Sequence, residues 1–152
     1  MLIRPVEPED VAVFHHQQDD PAAGAMAAFP VRDRRAHDEH WAKILTDPTV
    51  LARTIGAGDQ VVGNIVSFLA GGERNIGYWI GREHWGHGYA TEALTQYVVE
   101  VGERPLHAHV AEHNLGSIRV LTKCGFVVVG EEQQEGDPVR EIVLRLGPTP
   151  TA

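Results

Sequence analysis

The chain has few of the features that mark secreted, membrane or disulfide-stabilised proteins. Its 152 residues include one cysteine, Cys124, and this excludes an intramolecular disulfide framework. No apolar run approaches the roughly 18 residues of a membrane span, and the N-terminus has no apolar signal-peptide core. We therefore expect a cytoplasmic protein without a membrane partner.

Positive charge is also scarce. The 13 lysines and arginines are outnumbered by 21 aspartates and glutamates, which gives a formal net charge of -8. A nucleic-acid binder needs a basic stripe, so we expect no nucleic-acid partner and a preference for cationic substrates. A chain of this length buries roughly two-thirds of its unfolded surface, enough for one core. We predict a single domain over residues 1–147, followed by a frayed tail over residues 148–152.

Hydrophobic periodicity and turn residues predict strands with helices placed before and between them. The predicted strands are 2–5, 50–55, 61–69, 75–80, 106–111, 126–129 and 139–146. The predicted helices are 33–45, 89–101 and 117–123, preceded by a helix that residues 7–10 open and residues 19–21 close, and residues 22–32 are expected to form a mobile loop or short helical turns. This order favours an α+β, or three-layer α/β, domain with one central sheet.

The segment from Tyr78 to Ala93 runs from an apolar strand through a loop with Gly86 and Gly88 into the start of a helix. Glycine permits a tight turn and a close approach to a ligand, and a helix N-terminus offers unpaired N–H groups and a positive dipole. The loop therefore suits phosphate, although a turn that only connects strand and helix has the same pattern.

A second segment follows the strand at residues 106–111. It contains Asn114 and Ser117 and ends in the run Lys123-Cys124-Gly125-Phe126. The spacing of the two segments, each a strand followed by a helix start, indicates that they contribute to one binding site.

Both segments resemble the GNAT family of N-acetyltransferases, and most of all the branch that acetylates the N-termini of ribosomal proteins. The resemblance covers most of the chain. It implies transfer of an acetyl group from acetyl-CoA to a primary amine, on a protein N-terminus or a small molecule, by direct attack in a ternary complex. It also implies a mostly antiparallel sheet that splays open after the fourth strand, with helices on both faces and pantetheine in the gap.

The resemblance further implies which residues bind the cosubstrate acetyl-CoA. These are Tyr78, Trp79, Ile80, Gly81, Arg82, Trp85, Gly86, His87, Gly88, Tyr89, Ala90, Thr91, Asn114, Ser117, Arg119 and Lys123. The family loop usually has Gln or Arg three residues before its first glycine, whereas this chain has Glu83. Backbone N–H groups are then the main phosphate ligands. Asn114 also suits a helix N-cap.

Catalytic residues are implied less completely. Ser117 would lie near the CoA sulfur and hydrogen-bond the departing thiolate, or it would be an ordinary serine of a first helical turn. Leu121 occupies the position where many family members have a tyrosine acid. The nearest carboxylate to the family's base position is Glu73, and the alternatives are a histidine (His107, His109 or His113) or an ordered water.

Three further expectations concern ligands and partners. No cysteine pair or zinc motif accompanies the nine histidines, so we expect no metal. The acceptor pocket is expected in residues 14–35 and 131–137, and the apolar run at residues 127–129 could supply the edge of a homodimer. The alternative to an enzyme is a non-catalytic CoA-binding or acyl-CoA-binding module.

Overall fold

The structure of the chain, a computed structural model, describes residues 2–27, 33–133, 136 and 138–147. The predicted tail at residues 148–152 lies outside the described residues. So do residues 28–32 of the predicted loop and residues 134, 135 and 137 of the predicted hairpin tip.

The observed elements follow the predicted order. The strands are β1 Leu2–Pro5, β2 Leu51–Ala57, β3 Gln60–Ala70, β4 Glu73–Ile80, β5 Leu106–Ala111, β6 Val127–Glu132 and β7 Glu141–Leu146. The helices are α1 Pro8–Gln18, α2 Pro21–Ala27, α3 Arg34–Thr46, α4 Tyr89–Val101 and α5 Leu115–Lys123, with a 3-10 turn at Arg82–His84. Helix α2 includes residues 22–27, which are the first part of the segment expected to form a loop or short helical turns. The helix α5 begins two residues before its predicted start.

One seven-stranded sheet has the strand order β1-β2-β3-β4-β5-β7-β6. Its neighbours are antiparallel except β4 and β5, which are parallel and paired only at Asn75 and His107. On its other side β4 pairs with β3 along its whole length, from Glu73 to Ile80. The predicted splay after the fourth strand is therefore confirmed: beyond Asn75, β4 and β5 diverge.

Helices cover both faces of the sheet, as predicted. On one face α4 buries Leu94 and Tyr97 in the main core, where Ile65 and Leu144 supply sheet side chains. The other face carries α1 and α3, whose packing includes the rings of Phe14 and Trp41 with centroids 4.8 Å apart. Among the described helices, none combines the length and the apolar character needed to cross a membrane.

Asp10 joins three elements of the fold. Its carboxylate accepts hydrogen bonds from Arg4 of β1 at 2.8 and 3.0 Å, from the N–H of Glu7 at 2.8 Å and from the hydroxyl of Thr54 on β2 at 2.8 Å. Burial by itself raises the pKa of Asp10, but these hydrogen bonds and the charge of Arg4 outweigh it and lower the pKa below its ordinary value. The charged form of Asp10 therefore stabilises the junction.

Candidate active site

A cavity of about 620 Å³ lies where β4 and β5 diverge. Its size is in the range of small-molecule sites. The lining comes from both sides of the gap and from α1, α3 and α5. The lining residues are Gln18, His40, Trp41, Ile44, Val50, Asn64, Val66, Phe68, Asn75, Ile76, Gly77, Tyr78, Trp79, Ala108, His109, Val110, Ala111, Asn114, Ser117, Leu121 and Glu141.

Tyr78 and Ser117 meet at this cavity. Their hydroxyl oxygens are 2.6 Å apart, and the Tyr78 hydroxyl also lies 3.4 Å from the Ser117 carbonyl oxygen, as donor. The Ser117 hydroxyl thus bonds a side chain from β4, and the Ser117 N–H bonds the side-chain oxygen of Asn114 at 3.3 Å. The Ser117 hydroxyl is thus held by Tyr78, and its catalytic role stays a prediction.

The hydroxyl of Tyr78 supplies a phenol on a different element from the one the family pattern indicated. Leu121, at the family's usual acid position, is buried and lines the same cavity. Burial raises the pKa of Tyr78 to about 12, against the lowering effect of its hydrogen bond with Ser117. Tyr78 is therefore a neutral hydrogen-bond donor at physiological pH.

Asn114 is the N-cap of α5, because its side-chain oxygen accepts the Ser117 N–H. The predicted capping role is confirmed. Asn114 also lines the cavity, so its predicted contact with pantetheine stays a prediction that this position allows.

The glycine loop has the backbone that its sequence predicted. Gly86 and Gly88 have φ values of 81° and 77°, in the left-handed region that favours glycine. Gly88 is the N-cap of α4, and the first N–H to bond back to it is that of Glu92, at 3.1 Å. The preceding turn of α4, with Tyr89, Ala90 and Thr91, therefore presents its N–H groups outward, as helix N-termini do.

Side chains around the loop hold it against β4. The Trp85 indole N–H donates to the Ile80 carbonyl at 2.9 Å, and the Gly81 N–H donates to the Val62 carbonyl at 2.9 Å. The rings of His87 and Tyr89 are 5.5 Å apart. These contacts place the loop directly after the open edge of β4.

The predicted cationic ligands differ in their surroundings. The Arg82 guanidinium lies 3.2 Å from the Asp20 carboxylate, and this ion pair joins the loop to the segment before α2. Arg119 and Lys123 are exposed and one turn apart on α5. To bind a phosphate, Arg82 would have to give up its ion pair with Asp20.

The candidate bases differ in whether they line the cavity and in which groups they contact. The Glu73 carboxylate lies 3.7 Å from Nδ1 of His107, outside the cavity lining, and its catalytic role stays a prediction. His109 lines the cavity, with Nδ1 3.5 Å from the Glu132 carboxylate. His113 bonds the Ala25 carbonyl at 2.9 Å.

The cavity extends beyond the segments in which the acceptor pocket was predicted. Gln18 lies within residues 14–35, but His40, Trp41 and Ile44 come from α3 and Glu141 comes from β7. Sequence periodicity could place these residues on a helix or strand face, but not opposite the gap. Within the described residues, no group of three or more His, Cys, Asp or Glu is arranged to hold a metal ion.

Comparisons with known proteins agree with this geometry. A family model described as "Acetyltransferase (GNAT) domain" matches residues 1–127. No curated protein sequence matches the chain significantly.

Three solved structures share the fold over nearly the whole chain. A spermidine N-acetyltransferase from Vibrio cholerae, solved with CoA and spermine, is 16% identical with a TM-score of 0.81, covering 96% of this chain and 94% of its own. A RimL ribosomal L7/L12 acetyltransferase with CoA is 15% identical with a TM-score of 0.80, covering 95% and 92%. A ribosomal-protein-alanine N-acetyltransferase from Brucella melitensis is 17% identical with a TM-score of 0.77, covering 97% and 100%.

The family match covers most of the chain and includes the glycine loop and Asn114 to Ser117. It favours an enzyme over a non-catalytic CoA-binding module. The chain therefore belongs to the GNAT acetyltransferase family and is a CoA-dependent N-acetyltransferase.

Proposed function

We propose that the enzyme transfers the acetyl group by direct attack of a primary amine on acetyl-CoA in a ternary complex. The observation that carries the proposal is the gap between β4 and β5, which pair only at Asn75 and His107. The open edge of β4 beyond Asn75 can pair with the amides of pantetheine as an added strand would. The loop with Gly86 and Gly88 then follows at the phosphate end.

Ser117 and Tyr78 would stabilise the departing thiolate by hydrogen bonding. A thiol has a pKa of about 8.5, and the pKa of Tyr78 is raised to about 12. Moving the Tyr78 proton to the thiolate would be uphill by roughly 3.5 pKa units, or about 5 kcal/mol. The pair therefore acts as a donor of hydrogen bonds, and solvent protonates the thiolate later.

His109 is the base that this geometry favours. It lies on the cavity wall, and the Glu132 carboxylate near Nδ1 favours a proton there, which leaves Nε2 to accept one. A neutral imidazole can take the proton that the attacking ammonium must lose. Glu73 would need a relay through His107, because its own carboxylate does not line the cavity.

The acceptor is proposed to be an amine on a protein N-terminus or a small molecule. The cavity lining contains the Glu141 carboxylate and, from the described part of the chain, no lysine or arginine. The solved neighbours act on spermidine or on ribosomal proteins, as their descriptions state, and both present amines.

The test is acetyl transfer from acetyl-CoA to a panel of amines. The reaction is monitored by the release of the CoA thiol and by the mass of the acetylated product. His109→Gln and Glu73→Gln are compared with the unmodified protein. Loss of at least about tenfold in kcat for His109→Gln alone supports the assignment of the base. Loss for Glu73→Gln alone would transfer the role to Glu73, and acetyl-CoA binding without turnover of any amine would overturn the proposed reaction.

A homodimer through β6 is part of the proposal. β6 is the last strand of the sheet, and its residues Val127, Val128 and Val129 are more than half exposed. Such an edge suits pairing with a second copy. Light scattering that gives a monomer mass at high concentration would contradict it.

A cytoplasmic location is proposed as well, on the basis of the single cysteine.

A further inference from the structure

We infer that the preferred acceptor is a monocationic amine with an apolar substituent, and that Gly77 leaves the room for that substituent. This inference rests on the proposed function, because it concerns the acceptor side of the same cavity. It is carried by the space above Gly77 and by the separation of charge and apolar surface along the cavity wall.

The floor of the cavity is formed by β3 and β4. Cross-strand partners in an antiparallel pair lie on the same face of the sheet. Three such pairs line the cavity, and we call these six residues the β3–β4 floor. They are Asn64 with Trp79, Val66 with Gly77, and Phe68 with Asn75.

Gly77 is the one place on this floor without a side chain. A Cβ placed there would meet only Phe68 Cε1 and Val66 Cγ2, both at 4.0 Å, which is ordinary contact. A Cβ at this position is therefore accommodated without displacing its neighbours, and a longer side chain would occupy space in the cavity. The space above Gly77 belongs to whatever occupies the cavity.

Apolar side chains contribute to this part of the cavity. Val66 and Phe68 are the nearest neighbours of a Cβ at Gly77, and Trp41 and Ile44 of α3 line the same cavity, as do the polar side chains of Gln18, His40, Asn64 and Asn75. Trp41 is 3% exposed and packs against Phe14, so this side chain is held in place. We call the part of the cavity lined by these four apolar residues and Gly77 the apolar pocket.

The charged groups lie across the gap from the apolar pocket. Glu141 and His109 share a sheet face, because Glu141 pairs with Ala111 and His109 pairs with Val143. The neighbouring Arg140 bonds the Glu131 carboxylate at 2.9 Å. The Glu141 carboxylate is thus available to an ammonium group beside the proposed base.

This arrangement distinguishes between classes of amine. One ammonium group can lie near Glu141 while an apolar substituent fills the apolar pocket. A polyamine would bring a second ammonium to a lining that, among the described residues, has no carboxylate besides Glu141, and burying a charge without a charged partner is costly. The geometry fits an amine with one apolar group, either as a free molecule or as the first residue of a peptide.

The test uses Gly77→Val with Gly130→Val as its matched control. Gly130 is also a strand glycine of this sheet; a Cβ there would meet nothing within 4 Å, and it lies outside the cavity lining. The acceptors are phenethylamine, ethylamine, spermidine and two short peptides that begin with Phe or with Ser.

We expect kcat/KM for phenethylamine to exceed that for ethylamine by about tenfold or more, as filling an apolar pocket does. Gly77→Val should reduce this ratio by about tenfold, and Gly130→Val should leave it within twofold. The affinity for acetyl-CoA should be the same in all three proteins. A ratio unaffected by Gly77→Val, or a preference for spermidine, would overturn the inference. The peptide pair distinguishes a free amine from an N-terminal residue as the source of the apolar group.

A binding measurement distinguishes a failure of this inference from a failure of the proposed reaction. Phenethylamine is titrated calorimetrically into the CoA-saturated protein and into the CoA-saturated Gly77→Val variant. Binding that depends on Gly77, without acetyl transfer, supports the apolar pocket and overturns the reaction. Acetyl transfer without selectivity for the apolar amine overturns the inference and leaves the reaction standing.

Discussion

The hydroxyl oxygens of Tyr78 and Ser117 lie 2.6 Å apart, although the residues are 39 positions apart in the sequence. One comes from β4 and the other from the first turn of α5, on opposite sides of the gap in the sheet. The pair brings two hydroxyl groups to the position where the proposed mechanism needs donors for a thiolate. It supplies a phenol although Leu121 replaces the tyrosine that the family usually has on the helix.

Removing either hydroxyl should slow the acetyl-transfer step. We expect Ser117→Ala and Tyr78→Phe each to lower kcat by about tenfold or more, with little change in KM for acetyl-CoA, because the hydrogen bonds strengthen as the thiolate forms. Steady-state kinetics of CoA release measures this. Thr122→Ala is the control, since this hydroxyl is on the same helix and bonds the Arg119 carbonyl. Turnover of Ser117→Ala within twofold of the unmodified enzyme would remove the catalytic role.

The glycine loop should be required for cofactor affinity. Replacing both Gly86 and Gly88 with valine places β-branched residues at positive φ, which strains the loop and obstructs the approach of a phosphate. We expect the Kd for acetyl-CoA, measured by calorimetry, to rise by about tenfold or more. Gly58→Val is the control, because Gly58 also has a positive φ of 60° but lies in the turn between β2 and β3. Equal losses in both variants would show a general effect on stability.

The junction at Asp10 should matter for stability and not for chemistry. Asp10→Ala leaves the donors of Arg4, Glu7 and Thr54 without their shared partner, and we expect it to lower the free energy of unfolding by about 2 kcal/mol or more. Denaturant unfolding measures the loss. Asp38→Ala, which breaks the exposed pair with Arg34, should cost about 0.5 kcal/mol or less.

Asp10 also predicts an acid limit. Its folded pKa is lowered, so its contribution to stability is complete above the unfolded value of about 4 and is lost as the pH falls through the folded value. Unfolding curves at decreasing pH should show this loss in the natural chain and a smaller one in Asp10→Ala. Equal slopes in the two proteins would contradict the assignment.

Two buried tyrosines predict an alkaline limit. Burial is the main cause that raises the pKa values of Tyr78 and Tyr97 to about 12, and an unfolded tyrosine has a pKa of about 10. Between these values the folded chain holds more protons than the unfolded chain, so the free energy of unfolding falls as the pH rises from about 10 to about 12. Unfolding curves over this range measure the slope, which Tyr78→Phe should reduce. A slope unchanged by that substitution would show that Tyr78 ionises normally.

Local sequence was a good guide wherever local physics decides the structure. The positive φ of Gly88 and the N-cap of Asn114 follow from a few neighbouring residues. The start of α5 moved because Asn114, and not a later residue, caps it. The helical state of α2 was harder to predict, because its small residues have little periodicity.

The sequence by itself determined the order of the elements, the glycine loop and the family resemblance, since each depends on residue types at short spacing. Only the tertiary structure decided which phenol meets Ser117, that His109 and not Glu73 reaches the cavity, and that Gly77 lines the cavity beside Val66 and Phe68. Those facts depend on where β4 and β5 diverge. That divergence is a property of the whole sheet, because strand pairing joins residues far apart in the chain.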